Sequence, residues 1–424
     1  MKKITISHVT KVEGHASLTL KIRKDRVEKC QLEAIEGARF FEGLLEGRPC
    51  IEAHEITSRI CGICSSSHAV CSLMAVENAL KVRVSKQTKL LRELLLIGER
   101  IRSHATHLYF FVLPDYMGYE SAIEMASSNR KKIDDALALI TLGNRIVEIV
   151  GGREIHPFTC VLGGFTNVPK KEEFDTLLEQ LKKSRGVAAE TAGLFEDLHY
   201  PEFERNREHL CLKEKSKYPS MGGRIYSDRG FNVRQGDYHK YLEEYIEPYA
   251  TAKFAVKKGK EYSVGALARM DDCYKLLSDG AKKLNKKIKI SSDNPFHNNF
   301  AQALEIMHWI ETAIGILQKN KFKKEEIKDI KIRKGRGIAV IEAPRGMLFY
   351  DYHIGKDGNI TKANIITPTC QNLRSMELDI KAYVEVLLKE KAGKEKLVLE
   401  IEKLIRAHDP CFSCSTHFLK VKWL

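Results

Sequence analysis

Four cysteines in two matched pairs are the residues of this chain best suited to chemistry. Cys61 and Cys64 lie in Arg59-Ile60-Cys61-Gly62-Ile63-Cys64, and Cys411 and Cys414 lie in Asp409-Pro410-Cys411-Phe412-Ser413-Cys414. Each Cys-x-x-Cys pair is a bidentate thiolate clamp, and two pairs supply the four sulfurs of a tetrahedral metal site. Taken alone, such a set admits a structural zinc, an iron–sulfur cluster or a catalytic nickel or iron centre. Zinc ribbons bring their pairs together within about 15–20 residues, whereas about 350 residues separate these. A site that ties the first and last parts of a large fold together can be buried and supported from all sides, as a catalytic metal requires.

Such a site needs a substantial fold around it. The chain has 424 residues, 43% of them hydrophobic, enough for a sizeable core. Lys plus Arg is 70 against 56 Asp plus Glu, a net charge of +14. The excess is dispersed, as in Lys282-Lys283 and Lys286-Lys287, and reads as a solvated basic surface. No basic block is interleaved with aromatics, which argues against nucleic acid as a partner. No apolar run approaches the roughly 20 residues that span a bilayer, and the amino-terminal residues carry no secretory pattern. A cytoplasmic chain is expected. Its eleven cysteines are then reduced thiols or metal ligands, not disulfides. The seven outside the pairs are scattered and read as small buried hydrophobes.

The elements that must position the sulfurs are legible from periodicity. Residues 16–22 and 27–35 alternate with period two around a polar turn at Asp25-Arg26, predicting a small antiparallel sheet in a β-rich portion of about 1–48. From about Pro49 the pattern becomes helical. Residues 86–112 contain no proline and keep a 3.6-residue period, predicting one long, largely buried helix. Further helices are predicted at 68–81, 131–149, 171–197, 239–257, 298–320 and 373–406, the last divided near Ala392-Gly393. A second β patch is expected at 335–365. The expected fold class is mainly α with a small antiparallel β part, an α+β chain. Residues 1–424 form one catalytic domain in this reading, with the helical body at about 49–424.

The residues flanking the cysteines, with further segments in order, narrow the choice. The first pair continues as Cys64-Ser65-Ser66-Ser67-His68 and the second as Cys414-Ser415-Thr416-His417. Between and before them stand Val12-Glu13-Gly14-His15, Phe40-Phe41-Glu42-Gly43, Gly151-Gly152-Arg153-Glu154-Ile155-His156-Pro157, Val264-Gly265-Ala266-Leu267-Ala268-Arg269 and Glu342-Ala343-Pro344-Arg345-Gly346. Together they resemble the large, catalytic subunit of nickel–iron hydrogenases, with Ala266 where that family usually has proline. The length looks most like the cytosolic, cofactor-coupled group, which includes the sulfhydrogenases and the viologen- or deazaflavin-linked enzymes.

The resemblance implies reversible heterolytic cleavage of dihydrogen to protons and electrons, and it implies roles. Cys61, Cys64, Cys411 and Cys414 would hold nickel. Cys64 and Cys414 would bridge to an iron that carries carbon monoxide and cyanide. Cys411 would be the first proton acceptor and Glu13 the relay beyond it. Arg345, paired with Asp409, would overhang the open metal position, with Pro344 beside it. His68 would donate to a bridging sulfur. Glu42 and His417 would bind magnesium with a main-chain carbonyl near Ile366. Family members are often cut after the position of His417. Only seven residues follow it here, and an uncleaved chain is expected. The chain offers no further iron–sulfur cysteine set and no Gly-x-Gly-x-x-Gly fingerprint. Electrons would therefore leave through an iron–sulfur small subunit and then a diaphorase-type or deazaflavin-reducing subunit. Two alternatives stand beside this one. A basic four-cysteine zinc-binding module predicts zinc and no diatomic ligands. A quinone-reducing subunit related to complex I would have lost the cysteine pairs.

Overall fold

The computed structural model describes residues 2–37 and 39–416; the predicted ligand His417 lies outside them. Nine helices and ten strands are enough to place the site. In chain order they are β1 (Lys2–Ile6), β2 (Ala16–Arg23), β3 (Arg26–Ala34), α1 (Ser65–Leu80), α2 (Lys86–Thr106), α3 (Arg130–Gly151) and α4 (Lys171–Glu196). There follow β4 (Glu208–Lys213), β5 (Arg224–Ser227), β6 (Leu242–Ile246), β7 (Lys253–Lys257), α5 (Ala266–Cys273) and α6 (Asn298–Lys319). The last are β8 (Gly335–Ala343), β9 (Gly346–Ile354), β10 (Ile360–Ile366), α7 (Pro368–Lys389), α8 (Lys394–Ala407) and α9 (Phe412–Ser415).

Most of the long helices are those that the apolar period predicts. Helix α2 begins at Ser85, whose hydroxyl accepts from the Thr88 amide at 3.0 Å, a side-chain cap. After Thr106 the chain widens into a π turn over His107–Val112, a local distortion of the kind that often marks functional sites. Helices α2 and α3 cross where both lack side chains. A Cβ on Gly98 would meet Gly143 O at 2.7 Å, and one on Gly143 would meet Gly98 O at 2.5 Å. Backbone-to-backbone contact at that crossing fixes α2, the helix that holds the first cysteine loop.

Strands β8, β9 and β10 form an antiparallel meander. Strand β9 is buried along nearly its whole length, because α1 covers one face and the small β region around Leu210, Ile225 and Tyr262 covers the other. The amino-terminal sheet, in order β1-β2-β3, buries Ala16, Leu18, Leu20 and Ile22 at every second position. That face packs on α7 and α8 in a second apolar cluster. The expected α+β class, mainly helical with small antiparallel sheets, is what the molecule shows.

One predicted helix is wrong. Residues 239–257 form the antiparallel pair β6–β7, with Lys253 opposite Ile246 and Lys257 opposite Leu242. Pro248 lies in the middle of that stretch and cannot continue a helix. The β-branched and aromatic residues Tyr245, Ile246, Phe254 and Val256 favour strands on either side of it. The neighbouring strands β4 and β5 are also absent from the sequence reading. One short strand pairing, Tyr262–Ser263 with Glu208–His209, is parallel and departs from the antiparallel rule.

Candidate metal centre

The two cysteine loops are brought together by side chains from elsewhere. Cys64 is the residue before α1, and the free amides of that helix start are satisfied from α2. The buried Glu99 carboxylate accepts from Ser66 N at 2.6 Å and from Ser67 N at 3.1 Å, neutralising the positive end of the helix. Arg102 donates to Ile63 O at 2.9 Å and to Glu154 O at 2.7 Å, tying the first loop to the Gly151–Pro157 segment. His156 completes that support, with Nδ1 3.0 Å from Ser58 O. The second loop pairs with the amino-terminal segment: Phe412 N donates to Glu13 O at 2.9 Å, and Cys411 N donates to Thr369 Oγ1 at 2.9 Å. Arg39 joins the two loops, its guanidinium donating to Ile60 O at 2.6 Å and also to Ser413 O.

The result is one pocket of four buried sulfurs, all within 4.8 Å of one another. Cys61 and Cys411 are 3.6 Å apart, Cys64 and Cys414 3.2 Å, and Cys411 and Cys414 2.8 Å. A metal about 2.3 Å from each of four sulfurs would space them about 3.8 Å apart, so the donor set fits metal binding. Soft thiolates suit nickel and iron and do not suit hard cations such as magnesium. The four thiols differ. Hydrogen bonds from Cys411, Cys414 and Cys64 hold Cys61 well below the ordinary thiol range, while burial pushes Cys411 and Cys414 well above it.

Glu13 reaches into the same pocket. Cys411 Sγ donates to its Oε2 at 2.9 Å, and Ser413 N donates to that oxygen at 3.1 Å. Burial, then the adjacent Cys61, raises the carboxyl above its ordinary range, and the bonds from Cys411 and Ser413 offset part of that rise. Arg345 occupies, with Pro344, the two-residue turn between β8 and β9. Gly346 closes that turn at φ +127°, where a Cβ would meet Val264 Cγ2 at 2.5 Å. The Arg345 guanidinium is bidentate on Asp409, through Nε to the main-chain oxygen at 2.8 Å and a terminal nitrogen to Oδ1 at 2.8 Å. Asp409 is held in turn by Gln302 Nε2 at 2.9 Å. His68 presents Nε2 to Cys414 Sγ at 3.6 Å. Pro344 contributes its carbonyl, which accepts from Arg269 at 3.0 Å.

Glu42 lies in a separate oxygen-rich pocket. Its Oε1 accepts from Ile365 N at 2.7 Å and from Lys253 Nζ at 2.8 Å. The same ammonium is 2.6 Å from Glu244 Oε1 and 3.1 Å from Ile365 O. Carboxylates and a carbonyl around one cationic position are donors that magnesium accepts. Arg39, Glu99, Gln302, Glu244 and Lys253 escaped sequence reasoning. Glu99 alone carried a signal, an acid inside the apolar run Leu94-Leu95-Leu96-Ile97 to Ile101.

Comparison with known proteins agrees with this geometry. The family described as nickel-dependent hydrogenase matches residues 39–139 and 295–417. The chain is 37% identical to sulfhydrogenase 1 subunit alpha of Pyrococcus furiosus, over 99% of this chain and 98% of that one. It is 28% identical to the NAD-reducing hydrogenase HoxS subunit beta of Cupriavidus necator, over 99% and 95%. Among solved structures, an NAD+-reducing [NiFe]-hydrogenase in the H2-reduced state superposes with a TM-score of 0.91 at 26% identity, covering 98% of this chain and 100% of that one.

Proposed function

The chain belongs to the nickel-dependent hydrogenase family, and as the catalytic subunit of such an enzyme we propose that it works through particular residues. Cys61 and Cys411 would hold nickel, and Cys64 and Cys414 would hold both nickel and iron. The iron would carry carbon monoxide and cyanide. When bound, the two metals supply the Lewis acidity and the redox couple for splitting dihydrogen into two protons and two electrons. A four-cysteine zinc module is not favoured, because the likeness to hydrogenases covers the whole chain. The complex I-related reading is not favoured either, because both cysteine pairs are present.

The chain's own groups then handle the proton. Cys411 Sγ is the first acceptor, and Glu13 Oε2, at 2.9 Å, is the next. Glu13 can both take and release a proton because burial raises its carboxyl towards the working range. Arg345 holds a fixed positive charge over the sulfurs, and Asp409 and Gln302 keep it from turning away. The observation that carries this reading is the convergence of four buried sulfurs from opposite ends of the chain, with Cys61 and Cys411 in contact with the carboxylate of Glu13.

Magnesium is proposed beside Glu42, sharing its oxygens with the Lys253 ammonium. Residues 1–424 act as one catalytic domain, because both ends build the site. Electrons leave to an iron–sulfur subunit seated where Gly62, between two ligand cysteines, reaches the surface beside the exposed Ile155. A diaphorase-type or deazaflavin-reducing subunit would follow in the chain of transfer. No helix among the described residues is long and apolar enough to cross a membrane, and a cytoplasmic location is proposed.

Elemental analysis and infrared spectra of the purified complex test the assignment. One nickel, one iron and one magnesium per chain are expected, with bands in the stretching region of metal-bound carbon monoxide and cyanide. One zinc and no nickel would overturn the centre. Nickel and iron without magnesium would leave Lys253 as the cation of the Glu42 pocket.

A further inference from the structure

The far side of His68 has no role in the proton path. His68 lies on α1, 1% exposed, with Nε2 3.6 Å from Cys414 Sγ and Nδ1 2.7 Å from the hydroxyl of Tyr350. Tyr350 is fully buried on β9, its ring edge-on to the imidazole at a centroid distance of 6.0 Å. The next pair along the same contact is Ser72 with Tyr352, hydroxyl to hydroxyl at 3.0 Å. One helical turn, about 5.4 Å, meets two strand residues, about 6.8 Å. This match sets two phenols of β9 against successive turns of α1.

A neutral imidazole carries one hydrogen, so the bond at one nitrogen fixes the other. With Cys414 as a metal-bound thiolate, the reading proposed above, its sulfur can only accept. The hydrogen must then sit on Nε2, Nδ1 is a lone pair, and the phenol must donate to it. Thr57 is another hydroxyl near that phenol, and its own hydrogen goes to Ala53 O at 2.8 Å. A phenol hydrogen spent on Thr57 would leave Nδ1–H donating to Tyr350. It would also aim the Nε2 lone pair at an anionic sulfur, a repulsive arrangement.

We propose that Tyr350 is a positioning residue that locks His68 in the Nε2–H tautomer and so draws electron density from the sulfur of Cys414. Without that donor the N–H···S bond weakens. The sulfur becomes richer in electrons, and so does any metal it binds.

The test uses the holoenzyme with Tyr350→Phe, and with Tyr352→Phe as the control one strand step away. Metal content should stay at the wild-type level in both. In Tyr350→Phe the carbon monoxide band should move to lower wavenumber and the midpoint potential of the centre should become more negative. Tyr352→Phe should move neither. In a His68→Leu background, adding Tyr350→Phe should give no further shift. Unmoved bands and potential in a fully metallated Tyr350→Phe would overturn the proposal. Nitrogen-15 NMR of the wild-type holoenzyme that showed His68 protonated at Nδ1 would overturn it without any variant. Absence of the diatomic bands from wild type would instead defeat the metal assignment, and with it the accepting sulfur from which this inference starts.

Discussion

Two buried clusters of ionisable side chains meet at one turn of the backbone and differ in whether the chain itself balances their charge. Pro344 belongs to the first, through its carbonyl, and Arg345 belongs to the second. In the first, every N–H of Arg269 has an acceptor. Glu305 takes two, at 2.6 and 2.7 Å, Glu342 takes one at 2.9 Å, and the carbonyls of Ala343 and Pro344 take the others at 3.3 and 3.0 Å. Glu305 also accepts from Tyr218 at 2.7 Å and faces His104 Nε2 at 2.8 Å. Burial works against the Glu305 carboxylate, but Arg269 more than reverses it and holds its pKa below the usual carboxylate range. In the second cluster, Arg345 is committed to Asp409, and the four sulfurs face each other, Glu13 and His68. Holding a metal as thiolates, the four sulfurs would carry more negative charge than that one guanidinium can balance, and bound cations would supply the difference. The closed network is scaffolding, and the open one is the site.

The largest effect should come from breaking the open cluster. Cys64→Ala removes a sulfur assigned to both metals, so nickel and iron should be lost and dihydrogen-dependent dye reduction abolished. Its thermal unfolding should stay close to that of metal-free wild type, because one of four crowded sulfurs is removed and no buried charge is stranded. A large fall in that midpoint would mean that the thiols themselves hold the fold. Glu13→Gln sharpens the same contrast at the edge of the pocket. The amide keeps the shape and an acceptor for Ser413 N, but it cannot carry the proton. Metals should be retained. Isotope exchange between dihydrogen and solvent should fall by about 10²–10⁴-fold, the usual span for a lost acid–base group. Exchange at the wild-type rate would exclude Glu13 from the relay.

Sequence patterning and structure part company along the same line. The four cysteines, Glu13, His68, Arg345 and Asp409 were all readable, because ordered flanking residues named them, and the structure gathers them in one pocket. The long helices were readable because an apolar stripe repeats every 3.6 residues. The hairpin at Leu242–Lys257 was not. Its strands are only five residues each, too short for alternation to compete with an apparent helical period. Glu99, Arg39, Gln302 and Tyr350 support the site across 21 to 374 residues of sequence. No local pattern encodes such contacts, which exist only once the fold has closed.

The smallest change tests the closed network. Arg269→Lys keeps the charge but offers three donors in place of a planar set of five. At least two of the present acceptors must then go without. Each carboxylate retains a cation nearby, so the cost is that of unmade buried hydrogen bonds, about 1–3 kcal/mol for each acceptor left without a donor, and not that of a stranded ion pair. Denaturant unfolding of the variant and of wild type measures it directly. If the network is scaffolding, the variant that does fold and take up metal should exchange isotopes at the wild-type rate. A fall in exchange without a fall in stability would move Arg269 out of the scaffold. The division between the two clusters would then fail at Pro344-Arg345, where they touch.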